Sequence, residues 1–216
     1  MQSTIRHATY AVVGLAAALT LAACGSSDHA DAGHQDLPSV TSTASVSAPA
    51  ADADHNTADV AFASDMIPHH QQAVEMADLA AARASNAQVK SLAAAIKAAQ
   101  DPEIRTMTGW LSQWGQPVPS GTDGHDMADM SHGDGATMEG MMTDEEMQQL
   151  AAASGADFDR LWLELMIKHH EGAVTMATTA STAGKSAEAK ALAQEIMTAQ
   201  KAEIATMQQL LPTITG

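Results

Sequence analysis

The chain has 216 residues, with 26 acidic side chains against 10 basic ones, and its formal net charge is −16. This charge argues against nucleic acid or an anionic membrane surface as a partner and is compatible with cations. A single cysteine excludes an intramolecular disulfide. Aromatic residues are scarce and Ala is abundant, a composition that suits close-packed helices better than a sheet.

The first element is an export signal. Arg6 and His7 precede an apolar run over residues 8–23, which is too short to span a bilayer comfortably. The run ends in Leu-Ala-Ala-Cys, which resembles the lipobox of bacterial lipoproteins and predicts cleavage before a lipidated Cys24. The alternatives are an ordinary signal peptide that happens to contain a cysteine, or an uncleaved anchor.

A polar segment follows over residues 24–56, rich in Ser, Ala, Thr and Asp. Such a composition cannot bury a core, so we interpret it as a flexible tether. His29, His34 and His55 lie here among aspartates, and weak metal capture is the alternative interpretation.

The rest of the chain is dominated by an internal repeat. Residues 59–111 align with residues 159–211 without a gap, at a constant offset of 100, and 22 of the 53 aligned positions are identical. Met66-Ile67-Pro68-His69-His70 recurs as Met166-Ile167-Lys168-His169-His170. A repeat of this length indicates a duplicated supersecondary unit. The polar members of the unit are a His-His pair, a Gln and a Glu.

Each repeat has the apolar periodicity of two helices separated by a short break, which predicts helical hairpins over 57–115 and within 144–216. Pro68 and Pro102 fall inside the first hairpin, where they predict kinks. The alternative is a first helix that starts at Pro68 and is capped by Ser64 or Asp65.

Between the repeats, residues 116–143 form a Gly-, His- and Met-rich linker, and the capping box Thr143–Glu146 then opens a short helix that we expect to stop at Gly155. Two interpretations fit the composition of this linker equally well. It is either a disordered acidic linker or a segment that captures a soft metal, chiefly copper(I). Two hairpins can bury their apolar stripes only against each other. The predicted fold is therefore all-α, a four-helix bundle with a pseudo-two-fold axis.

The unexpected polar side chains lie on the apolar stripes. His69 shares its face with Met66 and Ala73, and Glu103 lies on the stripe of the next helix. With the turn at Ser85, a rise of 1.5 Å per residue places His69 and Glu103 at heights that differ by about 3 Å. A buried carboxylate needs a partner, and the offset of 100 repeats this relation in the second hairpin.

Adjacent imidazoles level with a carboxylate, present twice, favour a metal site. Imidazole suits copper, zinc and iron, whereas thioether favours copper(I). We expect the imidazoles to be the principal ligands, the carboxylates to bind or orient them, and the methionines to be auxiliary soft ligands. The candidate metal residues are these: His69, His70, Glu103, His169, His170, Glu203, Met66, Met76, Met107, Met166, Met176, Met207.

The doubled pattern Asp-x-x-aromatic-x-x-x-Met-Ile-x-His-His-x-x-Ala-Val-x-Met-Ala begins at Asp59 and again at Asp159, and resembles the family called domain of unknown function 305. The later Gln-x-x-Glu-Ile-x-x-Met motif also matches that family. The resemblance implies a ferritin-like fold, export, and a link to copper binding and copper tolerance. Ferritin-like di-iron proteins carry Glu-x-x-His on two helices, a motif that this sequence lacks, so a di-iron oxidase is not expected.

Three functions remain open at this point. The first is a membrane-anchored, extracytoplasmic metal-binding protein that sequesters or transfers a metal, copper in particular, although another transition metal is possible. The second is a ferritin-like, metal-dependent redox enzyme. The third is a structural or partner-binding envelope bundle in which a buried His–Glu pair holds no metal.

Overall fold

The computed structural model describes residues 54–119 and 138–215, and the regular elements in this part of the chain are all helices. The helices are α1 (Thr57–Arg83), α2 (Ala87–Gln113), α3 (Asp144–Ala152), α4 (Gly155–Ala183) and α5 (Ala187–Leu210), followed by a 3₁₀ turn, Leu211–Thr213. α1 and α2 form hairpin 1, and α4 and α5 form hairpin 2. The signal peptide, Cys24, most of the tether and residues 120–137 of the linker lie outside the described residues.

The N-terminus of α1 shows whether Pro68 lies inside the first helix or begins it. Asn56 accepts hydrogen bonds from the backbone of Ala58 and Asp59, and the Asp59 side chain accepts one from the Asn56 backbone, so a capping box opens the helix at Thr57. Pro68 lies inside the continuous helix, and the alternative start at Pro68 is wrong. Burial of Phe62 and Met66 stabilises the turns before the proline.

The two hairpins pack through α1 and α4, which run antiparallel. The Asn56 side chain at the start of α1 donates to the carbonyl of Ala183 at the end of α4, and Ala84 pairs with Gly155 at the opposite end. Small side chains let the two helices approach closely, and nearly all of them are fully buried: Ala63, Ala73, Ala77, Ala80, Ala173, Ala177, Ala180. The architecture is the predicted bundle of two helical hairpins.

Two aspartates bind the hairpins to each other reciprocally. Asp59 of hairpin 1 accepts hydrogen bonds from the backbone amides of Lys185 and Ser186 in the turn of hairpin 2, at 2.9 and 3.0 Å. Its repeat counterpart, Asp159, accepts from the Asn86 amide at 2.8 Å and from the amide and hydroxyl of Ser85. Each carboxylate thus caps the turn of the other hairpin and helps to set the α1–α4 register.

The last residues of the linker pack onto the bundle. The Gln72 side chain makes two hydrogen bonds with the Met142 backbone, at 2.7 and 2.9 Å, and the Met142 side chain is buried. Gly140, with φ of +83°, lies against Gly172 of α4 so closely that a Cβ on either residue would overlap backbone atoms. We call residues 138–142 the strap.

The capping box at Thr143 and Glu146 opens α3 as predicted, but α3 ends at Ala152. Gly155 takes φ of +65° and begins α4, so the expected stop at Gly155 is wrong by three residues. A glycine adopts this left-handed conformation without strain, which allows α4 to start directly after the turn. None of the described helices is long and apolar enough to cross a membrane.

Candidate metal centre

Four imidazoles meet in the middle of the bundle, and we call them the four-His centre: His69, His70, His169 and His170. All four are fully buried. The rings of His69 and His169 touch across the α1–α4 interface, with centroids 3.7 Å apart and planes inclined at 40°. Because these two residues are repeat counterparts on antiparallel helices, their contact marks the pseudo-two-fold axis.

The second imidazole of each pair turns toward its own hairpin. His70 Nε2 lies 2.8 Å from Glu103 on α2, and His170 Nε2 lies 2.8 Å from Glu203 on α5. The carboxylates are about one-fifth exposed, at 19% and 20%, whereas the imidazoles are fully buried. Each pair therefore connects the dry interior to the solvent edge of its hairpin.

The carboxylate also selects a ring tautomer. An ionised carboxylate can only accept a hydrogen bond, so a neutral His70 or His170 must carry its proton on Nε2. The lone pair is then on Nδ1, and the Nδ1 atoms of both residues are buried without a hydrogen-bond partner.

The level predicted from loop arithmetic is correct, but the partner within that level is different. Glu103 pairs with His70, not with His69, whose ring faces the other hairpin. Adjacent residues on a helix point about 100° apart, so one imidazole of each pair faces α2 or α5 while the other faces the axis. Helix periodicity alone does not show which neighbouring helix each face will meet.

Six imidazole nitrogens in the described residues are buried without a well-formed hydrogen bond, although the Glu139 backbone lies near His69 and the His69 backbone lies near His169: His69 Nδ1 and Nε2, His169 Nδ1 and Nε2, His70 Nδ1, His170 Nδ1. An unsatisfied buried polar group costs about 1–3 kcal/mol. Several of them in a single layer of the core are poorly explained by stability alone. They are well explained if the rings hold lone pairs ready for a ligand, one lone pair per neutral ring.

Burial keeps the central rings neutral. Desolvation, and then the neighbouring His70 and His170, lower the pKa of His69 from its ordinary 6.5 to about 3. Desolvation, and then His69, lower the pKa of His169 well below 6.5. Both rings therefore keep free lone pairs at neutral pH, which is the form that binds metals.

The methionines divide by distance from this layer. Met66 lies one turn before the His pair on α1, and Met107 lies one turn after Glu103 on α2. Met166 and Met207 have the same placement in hairpin 2. All four methionines are fully buried. Met76 lies seven residues beyond His69, about 10 Å along the helix, and its carbonyl accepts a hydrogen bond from Trp162 Nε1. Its counterpart Met176 is only half-buried.

These donors do not yet form a coordination sphere. Among residues 54–119 and 138–215, no three His, Cys, Asp or Glu side chains converge at the spacing of a metal site. The rings of His69 and His169 contact each other, so they must rotate or separate before a metal ion can lie between them. The donor types fit a transition metal, and binding of a metal ion at this place would require local side-chain movement.

Sequence reasoning assigned no role to two buried polar side chains near this layer, Gln100 and Gln200. A signal was available, since both lie on the apolar stripe of their helix and both recur in the repeat. Asp59 and Asp159 were recognised only as motif residues, and their role as caps of the opposite hairpin could not be read from spacing.

The fold and this centre together define the class: an all-α protein of two duplicated helical hairpins with a buried layer of imidazoles on the axis between them. The model of the DUF305 family, a domain of unknown function, matches residues 59–211. The chain therefore belongs to the DUF305 family, as the doubled His-His motif predicted.

Solved structures of similar proteins agree with this assignment. A DUF305 protein from Streptomyces coelicolor is 36% identical, with a TM-score of 0.61, over 72% of this chain and 93% of that one. A DUF305 fragment from Deinococcus radiodurans is 30% identical, with a TM-score of 0.62, over 73% and 97%. CopM in its Cu(I)-bound form is 33% identical, with a TM-score of 0.58, over 73% and 98%.

CopM has also been solved with Cu(II), with silver and without metal. No curated protein matches the chain significantly.

Proposed function

We propose that this protein binds a transition-metal ion, copper in particular, at the four-His centre. The observation that carries the proposal is the set of six buried imidazole nitrogens that lack a well-formed hydrogen bond within residues 54–119 and 138–215. The residue types support copper, because imidazole binds both oxidation states and the flanking thioethers favour copper(I). CopM, a similar protein, binds Cu(I), Cu(II) and silver.

In this proposal the side chains have distinct roles. His69 and His169 bind the metal from the two hairpins, and His70 and His170 add their Nδ1 atoms. Glu103 and Glu203 hold the outer imidazoles through Nε2, which fixes the tautomer and ring orientation. The buried methionines one turn away on either side are auxiliary soft ligands.

The proposed place of action is outside the cytoplasm, on a lipid anchor at Cys24. The support is the Leu-Ala-Ala-Cys ending of the apolar run, and the Streptomyces coelicolor relative is named as a candidate secreted protein. A Cys24→Ala protein should lose membrane retention on cell fractionation. Unchanged retention would argue against the lipid.

Sequestration or transfer of the metal suits this site better than turnover. The four-His centre is fully buried. A layer of imidazoles shielded from solvent is suited to holding an ion. Oxidase or peroxidase turnover by the metal-loaded protein would favour the redox alternative.

Metal titration of the purified chain tests the proposal. His69→Ala and His169→Ala should each weaken copper binding strongly and by a similar factor, because the two rings meet on the pseudo-two-fold axis. His55→Ala is the matched control, since His55 is half-buried and stacks on Trp114, 4.5 Å between ring centroids, away from the axis. Copper binding that survives both core substitutions would show that the primary ligands lie elsewhere.

The third function, a structural bundle without metal, draws on the same His–Glu pairs. A protein purified from the exported compartment without bound metal, and without affinity for added copper, would favour it. The Glu103→Gln experiment described below separates the two interpretations, because it measures affinity and stability on one variant.

A further inference from the structure

Each hairpin buries a glutamine that no interaction in the core explains. Gln100 on α2 and Gln200 on α5 are only 2% and 3% exposed. Within residues 54–119 and 138–215, neither amide atom of Gln100 has a hydrogen-bond partner, and the carbonyl oxygen of Gln200 lacks one as well. Leaving a buried amide unpaired costs about 1–3 kcal/mol per group, and the chain carries this cost at both repeat positions.

The two amides lie in layers beside the four-His centre. Gln100 precedes Glu103 by three residues, which is about 4.5 Å along α2, and the two share a helix face. Because His70 lies opposite Glu103 in the antiparallel hairpin, Gln100 lies opposite Ala73. The offset of 100 places Gln200 at the same distance on the other side of the pseudo-two-fold axis.

Thioethers of the opposite hairpin occupy each of these layers. Ala73 lies opposite Gln100 in the hairpin, and Ile96 lies one turn before Gln100 on α2. Both belong to the same apolar cluster as Met166 and Met207 of hairpin 2.

Around Gln200 the arrangement is reversed. Ala173 and Ile196 belong to the cluster that contains Met66 and Met107 of hairpin 1. With a constant helix rise, each buried amide is therefore level with two buried thioethers of the other hairpin.

This combination has a chemical preference. Thioether sulfur is a soft, neutral donor that selects copper(I) among the common biological metals, and the unbranched methionine side chain turns on three bonds to close around an ion. An amide oxygen adds a third neutral donor and a fixed dipole. A set without a carboxylate or an imidazole discriminates against divalent ions, which take harder or more basic ligands.

We infer that the core holds two flanking subsites for a soft monovalent ion, Cu(I) or Ag(I), one on either side of the four-His centre. Gln100 with Met166 and Met207 forms one subsite, and Gln200 with Met66 and Met107 forms the other. The inference rests on the proposed function and deepens it: the four methionines that are auxiliary soft ligands there act, together with the two amides, in layers of their own beside the imidazoles.

Titration of the purified chain with two probes tests it: Ag(I) for the flanking subsites and Cu(II) for the imidazoles. Gln100→Leu should weaken one class of Ag(I) sites by about 10–100-fold, the range found when a group supporting a metal site is removed. Cu(II) affinity should change less than about twofold. The apo protein should be as stable as the wild type or more stable, because the substitution removes an unpaired buried amide.

Two further variants make the outcome decisive. Met166→Leu with Met207→Leu keeps the core volume and should abolish the same class of Ag(I) sites. Gln88→Leu, at an exposed position of α2, is the matched control and should leave both titrations unchanged. Unaltered Ag(I) binding in the Gln100→Leu and double-methionine variants, or a marked loss of apo stability in Gln100→Leu, would overturn the inference. Absence of Cu(II) binding in the wild type would instead overturn the four-His proposal. The Ag(I) affinities of the variants would still decide whether the flanking subsites exist.

Discussion

Hairpin 1 and hairpin 2 place the same His-His pair, Gln and Glu on corresponding helix faces, yet they differ at positions around that layer. Gln72 of hairpin 1 bonds the strap, whereas its counterpart Gly172 leaves room for the strap backbone. Asp78 and Lys97 form a surface ion pair, and their counterparts are Thr178 and Met197.

The repeat therefore preserves the interior polar side chains, whereas the outer faces of the two hairpins diverge. One linker can cross only one side of a two-fold axis, so the two hairpins cannot keep identical residues where the strap passes. The four-His centre lies on the axis itself, where both hairpins contribute equally. Experiments on counterpart residues therefore separate symmetric from asymmetric parts of the molecule.

The largest symmetric effect is expected from pH. His69 has a folded pKa of about 3 against its ordinary 6.5, and that of His169 is also lowered, so the unfolded chain binds more protons below pH 6.5. The contribution of His69 to apo stability is complete above pH 6.5 and is lost as the pH falls toward 3, at a rate that approaches about 1.4 kcal/mol per pH unit. The contribution of His169 is lost in the same direction, below pH 6.5.

Urea unfolding at several pH values between 7.5 and 4, with a chelator present, measures this effect. His69→Leu and His169→Leu should each reduce the slope of stability against pH by a similar amount, and the double variant should reduce it further. Equal slopes in the wild type and the double variant would contradict neutral burial of the central imidazoles.

The next effect should be asymmetric. Gly172→Ala places a Cβ against the Glu139 carbonyl and the Gly140 Cα, so the strap must move, at a cost of about 1–3 kcal/mol in unfolding free energy. The matched variant at an open position, Gly109→Ala in α2, meets no atom within 4 Å. It should gain stability, because Ala is the better helix former by about 1 kcal/mol. Denaturant titration of both variants measures the contrast, and a neutral Gly172→Ala would mean that the strap is not held against α4.

Glu103→Gln and Glu203→Gln test whether the two His–Glu pairs are equivalent. Each substitution keeps the shape and a hydrogen bond but removes the charge, and should weaken copper affinity by about 10–100-fold with a modest change in stability. Isothermal titration and urea unfolding on the same samples give both quantities. If affinity is absent or unchanged while stability falls by a few kcal/mol, the pairs are structural.

The smallest effect should come from the linker, which has no counterpart in the repeat. Replacing His125, Met127, Met130 and His132 by Ser should lower copper stoichiometry while leaving the tightest site intact. Ordering ligands in a Gly-rich segment costs backbone entropy of about 1–2 kcal/mol per residue, so these side chains should bind more weakly than the core. Loss of the tightest site would place the primary ligands in the linker.

Much of the architecture could be read from the pattern of residues. The ungapped repeat, the apolar periodicity and the capping box at Thr143 predict the helices and their pairing into hairpins, because these features act over a few residues. Loop arithmetic also predicts that Glu103 lies level with the His pair, since the rise per residue of a helix is constant. The structure agrees on each of these points.

Other features depend on which surfaces meet. The strap illustrates this: composition suggests that Met142 has little reason to be buried, yet Gln72 holds its backbone and the side chain packs in the core. Such contacts join residues 70 positions apart along the chain, beyond the reach of any local pattern.

Local periodicity and repeated motifs were thus enough to predict the helices, the duplication and the family, and to single out the candidate donor side chains. Only the tertiary structure decided that His69 meets His169 on the axis while His70 and His170 turn to the carboxylates. The reason is physical. A helix presents its side chains about 100° apart, and the choice of neighbour for each face is made by the antiparallel docking of α1 on α4, through small alanines and two reciprocal aspartate caps.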